Sequence, residues 1–427
     1  MSSMGPRTWQ ECDACGARHD ELMAATRCPA CGGLLAVRHA TPGKGAAELR
    51  RLFAEPCCSL PGPLASGVWR FKEIVLPTAT APVSHPEGNT PLLERRAVSA
   101  FAGVGELRLK HEGHNPTGSF KDRGMTVGIT QAVRVRATAV ACASTGNTSA
   151  SLAAYAAQAG LKALVFVPRD GVALGKLAQS LAYGATTLLV RGNFDDCLRL
   201  AEAASRELGV YLVNSINPFR LEGQKTIVFE LLQQLGWEAP DWIAVPAGNL
   251  GNTAAFGKAL VEARALGLID RLPRIAAVQA AGAAPFAMGF AEGFAHRRAV
   301  KPETVATAIK IGDPASWDRA VRTMIETRGV VLAVADAEIL DAKAVIDASG
   351  VGCEPASAAS VAGVKRLVAS GEIAADARVV AILTGHVLKD PGILLEYHRA
   401  QEPAPSRANR PVEIEPDLAA VERVLRS

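Results

Sequence analysis

Three features of this 427-residue sequence predict an α/β protein built on largely parallel sheets, fronted by a small metal-binding module. From about residue 85 to 395, short apolar runs alternate with longer helix-like stretches, the pattern of strands followed by crossover helices. Hydrophobic residues make up 49% and charged residues 21%, enough for a large core and incompatible with general disorder. Four of the nine cysteines lie in the first forty residues as two C-x-x-C pairs.

Composition also excludes function classes. The 46 Lys+Arg against 42 Asp+Glu leave a net charge of +4, too weak over this length to recruit nucleic acid or an anionic membrane. No run approaches the roughly 18 apolar residues of a spanning helix. The start, MSSMGPRTWQEC, lacks the basic and apolar regions of a signal peptide, so a cytoplasmic location is expected. An odd cysteine count without an export signal argues against a disulfide framework.

Taken in order, residues 1–40 read as a zinc-ribbon-like module. Cys12 and Cys15 form one pair and Cys28 and Cys31 the other, twelve residues on, followed by Gly32-Gly33. A two-residue gap lets both thiolates of a pair reach one tetrahedral ion, and two pairs close a structural site with no position open for substrate. Redox dithiols or unrelated buried thiols are the alternative; the paired spacing and trailing glycines favour zinc. Residues 41–84, rich in Pro and Gly and holding the vicinal pair Cys57-Cys58, read as a linker. Strands are expected at 139–142, 164–167, 187–190, 210–213, 242–245 and 379–383, with helices over 125–135, 150–158, 174–183, 195–208 and 254–266. The tail 401–427 is Pro-rich to 411, with a helix possible over 414–425. Cys142, Cys197 and Cys353 read as small core groups.

Four segments fall where a strand ends and a helix begins, the place where ligands bind in open α/β sheets. Segment 115–124, NPTGSFKDRG, holds Lys121 between a turn and a helix. That lysine is either a solvated charge or an amine that forms a Schiff base with a carbonyl cofactor. Segment 144–149, STGNTS, either caps its helix or offers free N–H groups to a carboxylate. Segment 247–253, AGNLGNT, lets the backbone approach a phosphate at a helix N-terminus. In LTGH at 383–386, the Thr384 hydroxyl either closes a turn or faces a cofactor ring.

Together, NPTGSFKDRG, STGNTSAS, GNLGN and TGHVLKDP resemble the pyridoxal-phosphate enzymes of fold type II, and within them the chain is similar to the threonine synthases. EGNTPL at 87–92, NSINPFRLEGQK at 214–225, AIKIG at 308–312 and EPASAA at 354–359 extend the likeness, and some members also begin with four cysteines. The resemblance implies two open-sheet domains of the tryptophan synthase β-like class. The large one takes 85–110 and 211–400 and a small mobile one takes 111–210; homodimers are usual.

It also implies roles. Lys121 would hold pyridoxal 5'-phosphate and move protons at the substrate's Cα and Cβ. Asn147 would bond the cofactor's 3′ oxygen, and Ser144, Thr145 and Thr148 would line the substrate-carboxylate pocket. Gly248, Asn249, Leu250, Gly251 and Asn252 would cradle the cofactor phosphate, and Thr384 would face the ring nitrogen. The implied substrate, O-phospho-L-homoserine, carries its own phosphate, so a second anion site is required. Arg220, with Asn214 and Ser215, is the candidate, because a guanidinium fork matches two phosphate oxygens. The alternative is that Arg220 pairs with Glu222 or Glu230; Lys225 and Lys110 are weaker anion candidates. The implied reaction removes phosphate from Cγ and adds water at Cβ, giving threonine. One departure stands out: Val387, a β-branched residue, replaces the glycine usual after Gly385-His386. His111, His114 and His386 lie near the motifs and read as locally hydrogen-bonded. Competing readings are a cysteate synthase (phosphoserine plus sulfite), a threonine or serine dehydratase, and a binding factor on a degenerate enzyme body.

Overall fold

A computed structural model describes residues 7–55, 62–170, 177–401 and 405–426. Cys57-Cys58 and the first part of the helix expected over 174–183 lie outside these residues. In chain order the strands are β1 (Thr8–Cys12), β2 (Arg18–Asp20), β3 (Leu35–His39), β4 (Leu92–Glu94), β5 (Glu106–His111), β6 (Ala139–Ala143), β7 (Lys162–Pro168), β8 (Thr186–Val190), β9 (Tyr211–Leu212), β10 (Trp242–Pro246), β11 (Arg274–Ala280), β12 (Val330–Val334) and β13 (Arg378–Leu383).

They form three sheets: an antiparallel β2-β1-β3, a six-stranded β12-β11-β10-β13-β5-β4 and a four-stranded β8-β7-β6-β9. Every pairing in the two larger sheets is parallel except that of edge strand β4 with β5. β9 pairs with β6, so the four-stranded sheet closes just beyond the expected boundary at 210. Strand residues alternate between faces. On β13, Val380 and Ile382 join one apolar cluster while Val379, Ala381 and Leu383 join another. Helices covering both faces bury β6, β10 and nearly all of β13, which is why these strands read as unbroken apolar runs.

Local signals place the helices. Before the helix Phe194–Leu208, the Asn193 side chain accepts from the Asp196 N–H at 3.0 Å and Asp196 accepts in return from the Asn193 N–H at 2.7 Å. Gly209, at φ 68°, ends it in the left-handed conformation that costs glycine little. The stretch 41–84 does more than connect. It holds the helix Ala46–Ala54, and its Leu49, Phe53, Trp69 and Phe71 are fully buried in the core of the six-stranded sheet.

A buried charge network fastens this body together. Glu230 accepts from Lys110 Nζ at 2.5 Å and from Arg123 Nη2 at 2.8 Å, with Arg70 at 3.3 Å, while Arg123 Nε reaches Glu112 at 2.7 Å. Burial opposes the charge of Glu230, but the cations around it win and hold its carboxyl far below the usual range. A depressed folded-state pKa contributes stability present above the ordinary carboxylate range and lost as pH falls through the folded value. Glu230→Gln would leave these cations poorly compensated, and about 3–5 kcal/mol of stability should be lost at pH 7. Urea unfolding checks this, and the gap to the parent should narrow in acid.

Candidate active site and metal centre

The four sequence-predicted loops sit at carboxyl ends of parallel strands. β5 leads through a turn to Lys121, the first residue of the helix Lys121–Arg134. That turn is stitched to the end of β13: the Phe120 N–H donates to the Thr384 carbonyl at 3.0 Å, and the His386 N–H donates to the Gly118 carbonyl at 2.9 Å. Lys121 and Thr384 are thereby neighbours despite 262 intervening positions. The Lys121 amine lies 4.2 Å from the centroid of the Phe120 ring. Burial, helped by the Arg220 cation and opposed by Glu354, pushes its pKa down to about 7. An amine so placed is substantially neutral at working pH, as a nucleophile or base must be.

Glu354, first residue of the EPASAA segment, has a part in the site that its sequence context did not assign. Its buried carboxylate accepts from Asn147 Nδ2 at 2.9 Å and from Thr384 Oγ1 at 2.9 Å, tying the helix Asn147–Gln158 to the end of β13. Burial raises its pKa. Ser357 Oγ lies 3.0 Å from Thr384 Oγ1 and accepts from the Gly385 N–H at 3.0 Å. A threonine hydroxyl has one proton, so Thr384 can give it to Glu354 or to a ring nitrogen, not to both. Val387 has no left-handed backbone, so the side chain absent from a glycine brings no strain there. Ser144, Thr145 and Thr148 stand half-buried around the N-terminus of the helix Asn147–Gln158.

The loop after β10 turns through Leu250 at φ 63° into the helix Gly251–Ala265. Gly248 is pressed so close that an added Cβ would lie 2.9 Å from Ile309 Cα. Asn249 is already committed: it accepts from the Ala315 N–H and donates to Ser215 Oγ, both at 2.6 Å. Beside it, Asn252 Oδ1, Thr253 Oγ1 and Gln224 Oε1 are buried without a hydrogen-bond partner among the described residues. Unpaired buried polar atoms are costly, and a cluster of them at a helix N-terminus fits an absent polar ligand.

Arg220 gives the clearest such signal. It is 1% exposed on the helix Pro218–Gln224; Nη1 donates to the Val213 carbonyl at 3.1 Å, while Nε and Nη2 have no partner among the described residues. Burial pulls its pKa down to about 10. Neither acid weighed as its partner is one: Glu222 holds His39, Lys225 and Lys258, and Glu230 holds Lys110, Arg70 and Arg123. Lys225 and Lys110, the weaker anion candidates, are consumed by those same acids. Asn214 is spent on both backbone groups of Ala143, at 3.0 and 3.3 Å. Two of the three histidines, His111 and His386, behave as read, while His114 packs edge-on against the His111 ring at 4.6 Å. His111 Nε2 faces the Gly352 carbonyl at 2.8 Å while Nδ1 accepts from the Gly113 N–H, and His386 Nδ1 accepts from the Leu388 N–H.

In the N-terminal module the sulfurs of Cys12, Cys15, Cys28 and Cys31 all lie within 4.8 Å of one another, with Cys12–Cys31 at 3.5 Å and Cys15–Cys28 at 3.8 Å. Tetrahedral zinc with four thiolates requires sulfurs ~3.8 Å apart, so the set fits that ion. Purified protein should carry one zinc per chain by elemental analysis, and Cys15→Ser should lose most of it.

The donor set also fits pyridoxal phosphate: a neutral lysine, an anion cradle at a helix N-terminus and a hydroxyl at a strand end. The sequence profile of a family described as "Pyridoxal-phosphate dependent enzyme" matches residues 83–385. The threonine synthase of Methanocaldococcus jannaschii is 43% identical over 420 residues, covering 98% of this chain and 99% of that protein. That of Synechocystis sp. is 51% identical over 307 residues, 71% of this chain and 78% of its own. Among solved structures, the processed threonine deaminase isoform 2 of Solanum lycopersicum superposes with a TM-score of 0.63 at 21% identity, over 83% of this chain and 93% of that one. Maize serine racemase does so with a TM-score of 0.63, also at 21% identity, over 79% and 97%. At that identity the structural likeness speaks to the fold, and the sequence matches decide the rest: the chain belongs to the threonine synthases of the pyridoxal-phosphate-dependent enzyme family.

Proposed function

We propose that this chain converts O-phospho-L-homoserine and water to L-threonine and inorganic phosphate. The observation that carries the reading is Arg220, a buried guanidinium with two donor nitrogens unpaired among the described residues, whose field reaches the Lys121 amine. A dehydratase needs no second phosphate site, whereas a γ-phosphorylated substrate does. Bound at Lys121, pyridoxal phosphate supplies an electron sink that acidifies the substrate's Cα and, in turn, Cβ. The chain's own groups do the rest. Lys121 takes protons from those two carbons and gives protons back at Cγ, which becomes the methyl group, and finally at Cα. Arg220, placed by its bond to Val213, holds the phosphate as the Cγ–O bond breaks, before water forms the new bond at Cβ. Ser144, Thr145 and Thr148 take the substrate carboxylate; Asn147 is oriented toward the ring oxygen by Glu354. Asn249 and Ser215 brace the cradle, and Gly248, Leu250, Gly251 and Asn252 hold the cofactor phosphate.

The proposed working form is a cytoplasmic homodimer with one structural zinc per subunit, in which the part around 111–210 closes over the substrate. Among the described residues no helix is long and apolar enough to cross a membrane. The test is a comparison of three assays: phosphate release from O-phospho-L-homoserine, sulfite-dependent release from phosphoserine, and ketoacid formation from threonine. The first should dominate; dominance of the second or third would replace the proposal with a cysteate synthase or a dehydratase.

A further inference from the structure

Glu222 is fully buried two residues beyond Arg220, and the reaction above makes no use of it. Its partners come from three different elements. His39 Nε2, at the end of β3, lies 3.1 Å from Glu222 Oε2; Lys225 Nζ lies 2.6 Å from the same oxygen; Lys258, on the helix that starts at the phosphate cradle, meets Oε1. His39 is held in turn by Thr8 Oγ1 of β1, 3.0 Å from its Nδ1, and Lys258 also donates to the Val37 carbonyl of β3 at 2.7 Å. β1 is the strand that ends at Cys12.

On its other side, the seven-residue helix Pro218–Gln224 is pressed into the Lys121 helix. At Gly223 an added Cβ would sit 1.7 Å from the Arg123 carbonyl oxygen, so only glycine allows that approach. The short helix is therefore clamped between the backbone following Lys121 and the N-terminal ribbon. A helix of two turns has little rigidity of its own. Its lie, and hence the aim of the Arg220 fork, is set by its packing on the Lys121 helix, on β3 and on the helix Gly251–Ala265 that carries Lys258, and by the Arg220 bond to the Val213 carbonyl.

We infer that His39, acting through Glu222, is a positioning residue for Arg220, so that the N-terminal ribbon sets affinity for the substrate's phosphate. The inference rests on the reading of Arg220 as the phosphate anchor. Cutting the tether frees the helix to rock about the Gly223 contact and moves the guanidinium, which faces phosphate, more than Lys121, which belongs to the neighbouring helix.

The experiment uses the full-length, pyridoxal-phosphate-loaded protein with His39→Ala and His39→Gln; glutamine keeps an N–H donor near the position of Nε2. Inorganic phosphate binding is measured by calorimetry, beside KM and kcat for O-phospho-L-homoserine. In His39→Ala the phosphate Kd and the KM should both rise by about tenfold while kcat stays within about twofold, a size set by the steep cost of misplacing a binding group. His39→Gln should recover most of both losses, and cofactor content should stay at the parent level throughout. Unchanged phosphate affinity in His39→Ala would overturn the inference. So would equal damage in both variants, or a joint fall of kcat and cofactor content, which marks general loosening. Because phosphate binding is read without turnover, failure of the proposed reaction would show separately, as a parent enzyme inactive on O-phospho-L-homoserine.

Discussion

Lys121→Ala should lower kcat for threonine formation by at least about 10³-fold, because a single side chain supplies both the covalent attachment and the proton transfers. The variant should still take up pyridoxal phosphate through the cradle after β10, held reversibly and removable by dialysis. The parent enzyme offers a second readout in the pH dependence of cofactor capture. Only the neutral amine attacks a carbonyl. With its pKa pushed down to about 7, Lys121 is charged below that pH and neutral above it. The capture rate should therefore rise about tenfold per pH unit up to neutrality and then level off, whereas an ordinary lysine, near 10.4, would keep gaining to about pH 10. Stopped-flow absorbance from pH 5 to 9 separates the two profiles.

Arg220→Met should split stability from activity. Two charge-assisted hydrogen bonds to a phosphate, at about 1.5–3 kcal/mol each, correspond to a fall in kcat/KM of about 10²–10⁴-fold. Without ligand, the same guanidinium is a buried cation with two unpaired donor nitrogens and no carboxylate partner among the described residues. Replacing it with an apolar side chain of similar length removes that penalty, so the ligand-free variant should unfold at higher urea than the parent. Added phosphate should stabilise the parent and not the variant. Loss of both stability and activity would mark Arg220 as a structural residue instead.

Much of this site could be read from residue order, for physical reasons. β6, β10 and β13 are covered on both faces, so their apolar runs are unbroken. The loops that follow them carry the glycines that such turns need; Lys121 and Arg220 follow β5 and β9 instead, and stand out through the segments NPTGSFKDRG and NSINPFRLEGQK. β1 to β4 are short strands with polar residues on open faces and left no comparable pattern. β5 was masked by charge: Lys110 looks like a surface residue and is fully buried against Glu230, 120 positions away. The Pro and Gly content of 41–84 hid Trp69, which is buried with its ring N–H on Thr126 Oγ1 at 2.7 Å. Glu354 stands in the sequence only as the first residue of the EPASAA match, with no local sign of a role; only the fold brings Asn147 and Thr384 to it. Long-range pairings of this kind leave no local trace.

The proposed chemistry depends on covalent attachment at one amine, and reduction followed by peptide mass mapping tests it most directly. Protein loaded with pyridoxal phosphate and treated with borohydride should yield one modified peptide, with the pyridoxyl group on Lys121. An unmodified Lys121 peptide from loaded protein, or the adduct fixed on another lysine, would contradict it.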